Sequence, residues 1–263
     1  MSELQAISRE HHAAKRWQRY TSYSFASGDA VAQLVAQELP KAAMVLPVGF
    51  VATDEGYMPV AVQGLQPGKN LLVSDDGRWL AAYIPAAYRA YPFVLANTED
   101  GQQVLCMRGE TGLLSETEGE AFFAEDGEPA QAVKDVLNFL TQVAVNRQTT
   151  QRICAALEKH QLIQPWPIQL QTDAGEQNIE GLHRIDEAAL NQLPADAFEE
   201  LRQAGAMPII YCQLLSMQHL QKLGRLAQEQ AAAQQIQLPQ TPDGELDLEF
   251  LNDSGTISFG GLR

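Results

Sequence analysis

A chain of 263 residues with 45% apolar and 19% charged side chains has the make-up of a globular protein, and at this length it buries roughly three quarters of its unfolded surface. Its formal net charge of −15 repels nucleic acid and anionic lipid at long range, which argues against either as a partner. No run approaches the ~18 apolar residues of a spanning helix, and the N-terminal MSELQAISREHHAAKRW lacks the apolar stretch of a secretory signal; together these predict a cytoplasmic protein with no membrane insertion.

Residues 1–27 read as a polar arm, with Arg9, Lys15, Arg16 and Arg19 giving residues 1–20 a small positive excess best read as solvated. A short helix is predicted next, with Ser27 or Asp29 as N-cap, Val31, Leu34 and Val35 on its buried face and Pro40 as its stop. From Ala43 to about Leu114 the pattern becomes β: AMVLPVGF, MPVAV, NLLVS, RWLAAYI and QVLCM, punctuated by Gly and Pro. Crossover helices between these strands are missing, so an antiparallel meander or small barrel is favoured over a doubly wound sheet. Residues 97–135 carry ten acidic residues and read as an exposed connection; the EF-hand spacing is absent.

Helical periodicity begins at Pro129, with Val133, Val136, Leu137, Leu140 and Val143 on one face. The polar NRQTTQR (Asn146–Arg152) interrupts that stripe, leaving either two helices meeting there or one long helix exposed at mid-span. A short strand is predicted around Trp166, then helices over DEAALNQL and PADAFEELRQAG, with Pro194 near the start of the second and Gly205 closing it. A further helix from about Pro208 to Gln230 places Tyr211, Leu214, Met217, Leu220, Leu223 and Leu226 on one side, and the tail after 231 reads as a linker and β-hairpin. The expected fold is thus α+β: a β-rich half over 28–125, a mainly helical half over 126–230, and the two terminal segments, all able to form one compact domain.

The common catalytic signatures are absent: no nucleophile elbow, no phosphate loop, no dinucleotide fingerprint and no zinc-peptidase motif. Catalysis is therefore not expected, and no metal or cofactor is called for. Cys106, Cys154 and Cys212 are scattered, odd in number and set in apolar sequence, as buried free thiols of a reducing compartment are. Surface positions are expected for His11, His12 and His219, and a helix-end position for His160. His183 stands near Asp186 and Glu187; a His–carboxylate pair makes a general base, and the alternative is a strand-end residue beside an Asp186 N-cap. Trp166, between Pro165 and Pro167, reads as a packing anchor or as the wall of a groove.

The densest candidate is NLLVSDDGRWLAAYIPAAYRAYPFVL (Asn70–Leu95), read as a hairpin about Asp75–Asp76–Gly77 that leads into an aromatic, proline-rich segment. Trp79, Tyr83, Tyr88, Tyr91 and Phe93 offer stacking faces beside Arg78 and Arg89. A guanidinium pairs two-pronged with carboxylates, and ring faces bind planar groups or cations, so these residues suit an anionic or peptide ligand. In the competing reading, Trp79 and Tyr83 enter a sheet core while both arginines pair with nearby acidic residues.

LPVGF (Leu46–Phe50), PGKNLLVSDDGRW (Pro67–Trp79), YIPAAYRAYPF (Tyr83–Phe93), QPWPI (Gln164–Ile168) and the stretch from Gly181 to Leu220 occur in an order that resembles the bacterial SapC family, up to about Leu226. The resemblance implies association with a surface-layer system, or a neighbourhood of flavin-dependent halogenase-like enzymes, cupin-like proteins and TonB-dependent receptors acting on peptides or aromatic compounds. It brings no catalytic residues. The expected role is a binding or accessory protein for a small anion, a peptide or a protein partner such as a halogenase-like enzyme; the alternatives are a surface-layer component, or a peptide- or aromatic-modifying enzyme using His183 and Asp186 or Cys106.

Overall fold

A computed structural model describes residues 4–98, 100–109, 111–172 and 175–235. The chain divides into two units, residues 1–224 and 225–263. The predicted C-terminal hairpin lies outside the described residues.

The N-terminal stretch is built into the first unit, where a polar arm is expected. β1 (Leu4–Ala6), α1 (Arg9–His12) and β2 (Arg16–Trp17) precede a 3₁₀ turn over Ser24–Ala26. Apolar residues spaced among the charges explain this: Trp17 is 2% exposed and packs edge-on against Phe93, and His12 is buried against Phe122.

The helix expected after Asp29 is a correction. Val31–Gln33 forms β3, a 3₁₀ turn follows over Ala36–Glu38, and α2 (Leu39–Ala42) places Pro40 in its first turn. Proline lacks only an N–H that is orphaned there anyway, so it opens this helix where the sequence suggested a stop. β3 joins β4 (Val48–Thr53) and β5 (Gly56–Val62), which pair along six residues from Val48↔Ala61 to Thr53↔Gly56. Gly56 takes the positive φ that closes their turn.

The hairpin read at Asp75–Asp76–Gly77 shrinks to a single bridge, Val73↔Trp79. Side chains intercept its backbone: Asn70 Oδ1 takes the Leu72 N–H and Ser74 Oγ takes the Arg78 N–H. The chain then enters α3 (Ala86–Arg89) and, after a cis Tyr91–Pro92 peptide, β6 (Phe93–Asn97). β7 (Gln103–Arg108) lies between β6 and β1, while β8 (Leu114–Ser115) and β9 (Glu120–Ala121) flank β2. Trp17, Phe93, Met107, Phe122 and Val133 form the core beneath these two sheets.

Helix α4 (Gln131–Lys159) is continuous through the polar interruption. The interruption has a partner: Thr150 Oγ1 accepts the Ala36 N–H at 2.8 Å and Asn146 Oδ1 accepts the Gln37 N–H at 3.0 Å. Side chains from mid-α4 thereby satisfy the orphan donors that open the 3₁₀ turn.

β10 (Ile163–Pro165) and a hairpin of β11 (Ile168–Thr172) with β12 (Gly175–Ile179) follow, where the sequence suggested one strand. β13 (His183–Ile185) completes a five-stranded sheet in the order β10-β13-β4-β5-β3. α5 (Glu187–Asn191) and α6 (Ala195–Ala204) match the prediction, Gly205 closing α6 in the left-handed conformation. The last predicted helix is interrupted: α7 (Met207–Ser216), a 3₁₀ turn over Met217–His219, then α8 (Leu220–Gln235). The architecture is α+β, with small antiparallel sheets rather than one continuous barrel.

Helix α7 carries an inverted face. Tyr211 and Leu215 are 52% and 68% exposed and Cys212 is half-buried, whereas Gln213 and Ser216 are buried. β13 meets β4 at one register pair, His183↔Phe50, and the backbone groups beyond it need other partners. Gln213 supplies them, accepting the Ile185 N–H at 3.0 Å and donating to the Val48 carbonyl at 3.1 Å, while Ser216 Oγ accepts the Val48 N–H at 2.9 Å. His219 is buried, against the surface position expected, with Nε2 3.1 Å from the Ala43 carbonyl; the tighter winding of the 3₁₀ turn carries it inward. Gln213→Ala should therefore cost about 2–4 kcal/mol, measured by urea unfolding, since it strands two buried backbone groups; Gln218→Ala, on the exposed side, should cost less than about 0.5 kcal/mol.

Candidate functional site

Glu38 was not singled out by the sequence, and it organises the Arg89 region. Its side chain is 6% exposed, and each carboxylate oxygen is engaged. Oε1 accepts the Val35 N–H at 2.9 Å, capping its own turn. Oε2 accepts the Tyr83 hydroxyl at 2.7 Å and the Ala86 N–H at 2.8 Å. Glu38 takes the place of a capping-box carboxylate, but Val35 at the cap is not the Ser or Thr that marks the box in a sequence.

Arg89, the last residue of α3, completes the cluster. Its Nη2 donates to the Tyr83 oxygen at 3.3 Å and stands 3.7 Å from Glu38 Oε2, an ion pair longer than a hydrogen bond. The guanidinium lies over the rings of Phe139, at 5.2 Å, and Tyr83, at 5.8 Å, within cation–π range. Its side chain keeps 43% exposure.

The other predicted residues separate into distinct roles. Arg78 is committed to its own turn: Nε donates to Asp76 Oδ2 at 2.7 Å, and the Ser74 hydroxyl and that guanidinium hold the Asp76 carboxyl below the usual range. Trp79 Nε1 donates to the Tyr83 carbonyl, and the ring packs 5.7 Å from Tyr88. Tyr88 is buried and donates to Gln63, which Asn70 also contacts. Tyr91 stacks on Phe25 at 3.7 Å, and Tyr20 meets both rings edge-on. Arg89, Tyr83 and Tyr91 thus share one region with Tyr20, Phe25 and Phe139, whose distance in sequence hid them.

The secondary candidates lie elsewhere. His183 packs edge-on to Tyr57 at 5.0 Å. Asp186 caps α5, accepting the Ala189 N–H at 2.9 Å; it follows the N-cap reading rather than that of a base-orienting carboxylate. Trp166 is buried, and its ring would meet a side chain at Gly49 at 3.4 Å, which fits a packing anchor. Burial pushes the Cys106 thiol pKa up, opposite to the activation a nucleophile needs, and pushes that of Cys154 up to about 12. Among the described residues, no group of three or more His, Cys, Asp or Glu side chains is placed to hold a metal ion, and no helix is long and apolar enough to cross a membrane.

The family model described as SapC matches residues 7–223, which include every residue of this cluster. No curated protein and no solved structure matches the chain.

The phenols around Arg89 carry a pH signature. Burial, then the hydroxyl of Tyr23, pushes Tyr20 up to about 12; burial, then the hydrogen bond to Glu38, pushes Tyr83 up as well. A phenol whose folded pKa exceeds its unfolded value contributes stability that is intact below the unfolded pKa, about 10, and is lost as pH rises towards the folded one. Urea midpoints should therefore hold steady to about pH 10 and fall above it. Tyr20→Phe and Tyr83→Phe together should flatten that decline, and an unchanged alkaline slope would contradict the assignment.

Proposed function

Because the chain belongs to the SapC family, whose matched region contains the Arg89 cluster, we propose that it is a non-catalytic binding or accessory protein that presents Arg89 and the neighbouring rings to an anionic ligand. One observation supports this reading above the others. Glu38 already receives three hydrogen bonds of 2.7–2.9 Å, so it does not need Arg89 to satisfy its charge. Arg89 in turn makes one long hydrogen bond through Nη2, and the rest of its five N–H donors have no hydrogen-bond partner among the described residues, in a half-exposed side chain. Arg78 and Arg89 each make one side-chain hydrogen bond, but Arg78 is 76% exposed and tied only to its own turn, whereas Arg89 is held over two rings with donors left to offer.

The conformational cost of using it is low. Two rings and the Tyr83 hydroxyl fix the guanidinium, and a charged group ordered in advance loses less freedom on binding. Capture, not bond chemistry, is what this arrangement suits. It offers a cation and stacking faces, while burial pushes the pKa of the one thiol that the sequence proposed as a nucleophile up, away from activation.

Titration of the full chain with phenylacetate, followed by NMR through the Arg89 side-chain N–H and the tyrosine rings, tests the reading. Wild type should shift in a saturable way. Arg89→Gln should bind at least about tenfold more weakly, with unfolding free energy within about 1 kcal/mol of wild type. Equal binding by the variant, or no saturable shift in either protein, overturns the proposal.

A further inference from the structure

We infer that the group recognised by Arg89 is a planar, singly charged carboxylate carried on an aromatic ring, and not a phosphate or sulfate ester; this rests on the binding role proposed for the same residue. The first argument is the donor geometry. A guanidinium has five N–H groups arranged as two two-pronged edges that share Nη2. Nη2 directs one N–H at the Tyr83 oxygen, and whichever of its two hydrogens is used, the other edge survives whole. One intact edge matches two coplanar carboxylate oxygens. Phe139 and Tyr83 already hold the cation over their faces, so the edge is where a ligand gains most.

The second argument is charge. Arg89 stands 3.7 Å from a buried carboxylate, so the pair has no net formal charge, and the sequence as a whole carries −15. A ligand brought to this edge feels Glu38 as well as Arg89, and every additional negative charge on it is repelled by both Glu38 and the wider field. Phosphate sites in proteins combine several cations or backbone N–H groups to hold a charge near −2; here a single cation is already shared. A monoanion is what the electrostatics tolerates.

The third argument concerns the rest of the ligand. Tyr91 lies two residues beyond Arg89 and stacks flat on Phe25, with Tyr20 edge-on to both at 5.9 and 5.2 Å. All three are half-buried and so keep some ring surface exposed, and Tyr20 is near enough to feel the Arg89 charge. An aromatic group adds to this array in the same offset or edge-on contacts, whereas a bare carboxylate leaves the ring surface unused.

Four probes on the full chain separate the outcomes, each titrated into wild type and Arg89→Gln by NMR at one ionic strength. Phenylacetate should bind tightest, with acetate and phenyl phosphate each at least about tenfold weaker and benzyl alcohol showing no Arg89-dependent shift. Binding of phenyl phosphate equal to or tighter than phenylacetate, with Arg89 dependence, overturns the carboxylate assignment and leaves the binding role standing. Acetate matching phenylacetate removes the aromatic part. Saturation by none of the four defeats the assignment together with the binding role. A peptide ending in phenylalanine, compared with its C-terminal amide, identifies the source. Binding lost on amidation marks a peptide terminus as a natural carrier of the carboxylate; equal binding of acid and amide contradicts a carboxylate contact.

Discussion

The Glu38 carboxylate reaches three hydrogen donors that belong to two separate stretches of chain, and it ties those stretches together. One oxygen closes the turn that leads into α2; the other draws Tyr83 and the start of α3 against that turn. A buried carboxylate is costly unless its lone pairs are filled by well-directed donors, and charge-assisted hydrogen bonds of this length are the strong kind. The consequence reaches Arg89. With Ala86 tied to Glu38, the short α3 is fixed at its beginning, and the guanidinium at its end is set over Phe139 and Tyr83.

The same device recurs through the fold. Regular pairing is short here: β13 meets β4 at one register pair, and the 70–80 segment retains one bridge. Backbone groups that a longer ladder would satisfy are instead taken by side chains: Asn146 and Thr150 for the turn at Ala36, Gln213 and Ser216 for Val48 and Ile185, Asn70 for Leu72. Buried amides and hydroxyls used in this way specify where irregular backbone goes, because each leaves an unsatisfied group if the segment moves. They also free helix faces from the usual rule. α7 turns its amide and hydroxyl inward and its Tyr211 and Leu215 outward because the sheet beneath it requires hydrogen bonds.

What could be read from the sequence follows from this distinction. Strands with alternating apolar residues and Gly turns, such as β4 and β5, were legible, as was the Gly205 end of α6, since period and cap are local properties; whether α4 runs unbroken was left open, because the partners of its polar middle lie far along the chain. The helix expected over 28–39 failed although the Val31, Leu34 and Val35 spacing is helical: pairing with β5 makes residues 31–33 a strand that buries Ala32 and leaves Val31 exposed. His219 and the exposed face of α7 were misplaced because burying a polar residue is decided by which distant backbone group lacks a partner. For the site, the sequence placed Arg89, Tyr83 and Tyr91 together because they are neighbours along the chain; it also grouped Arg78 with them, although Asp76 claims that charge within one turn. Glu38, Tyr20 and Phe139 come from 45 or more residues away or from another element, and no local pattern announces them.

The central claim is that Glu38 holds α3, and through it Arg89, in place. Amide hydrogen exchange in wild type and Glu38→Ala tests it most directly, read at Val35 and Ala86 and compared with Ile185, whose N–H is bonded to Gln213 far along the chain. The account predicts a large loss of protection at Val35 and Ala86, with a smaller loss at Ile185. Protection at Ala86 that survives the substitution, or an equal loss at all three amides, would contradict it.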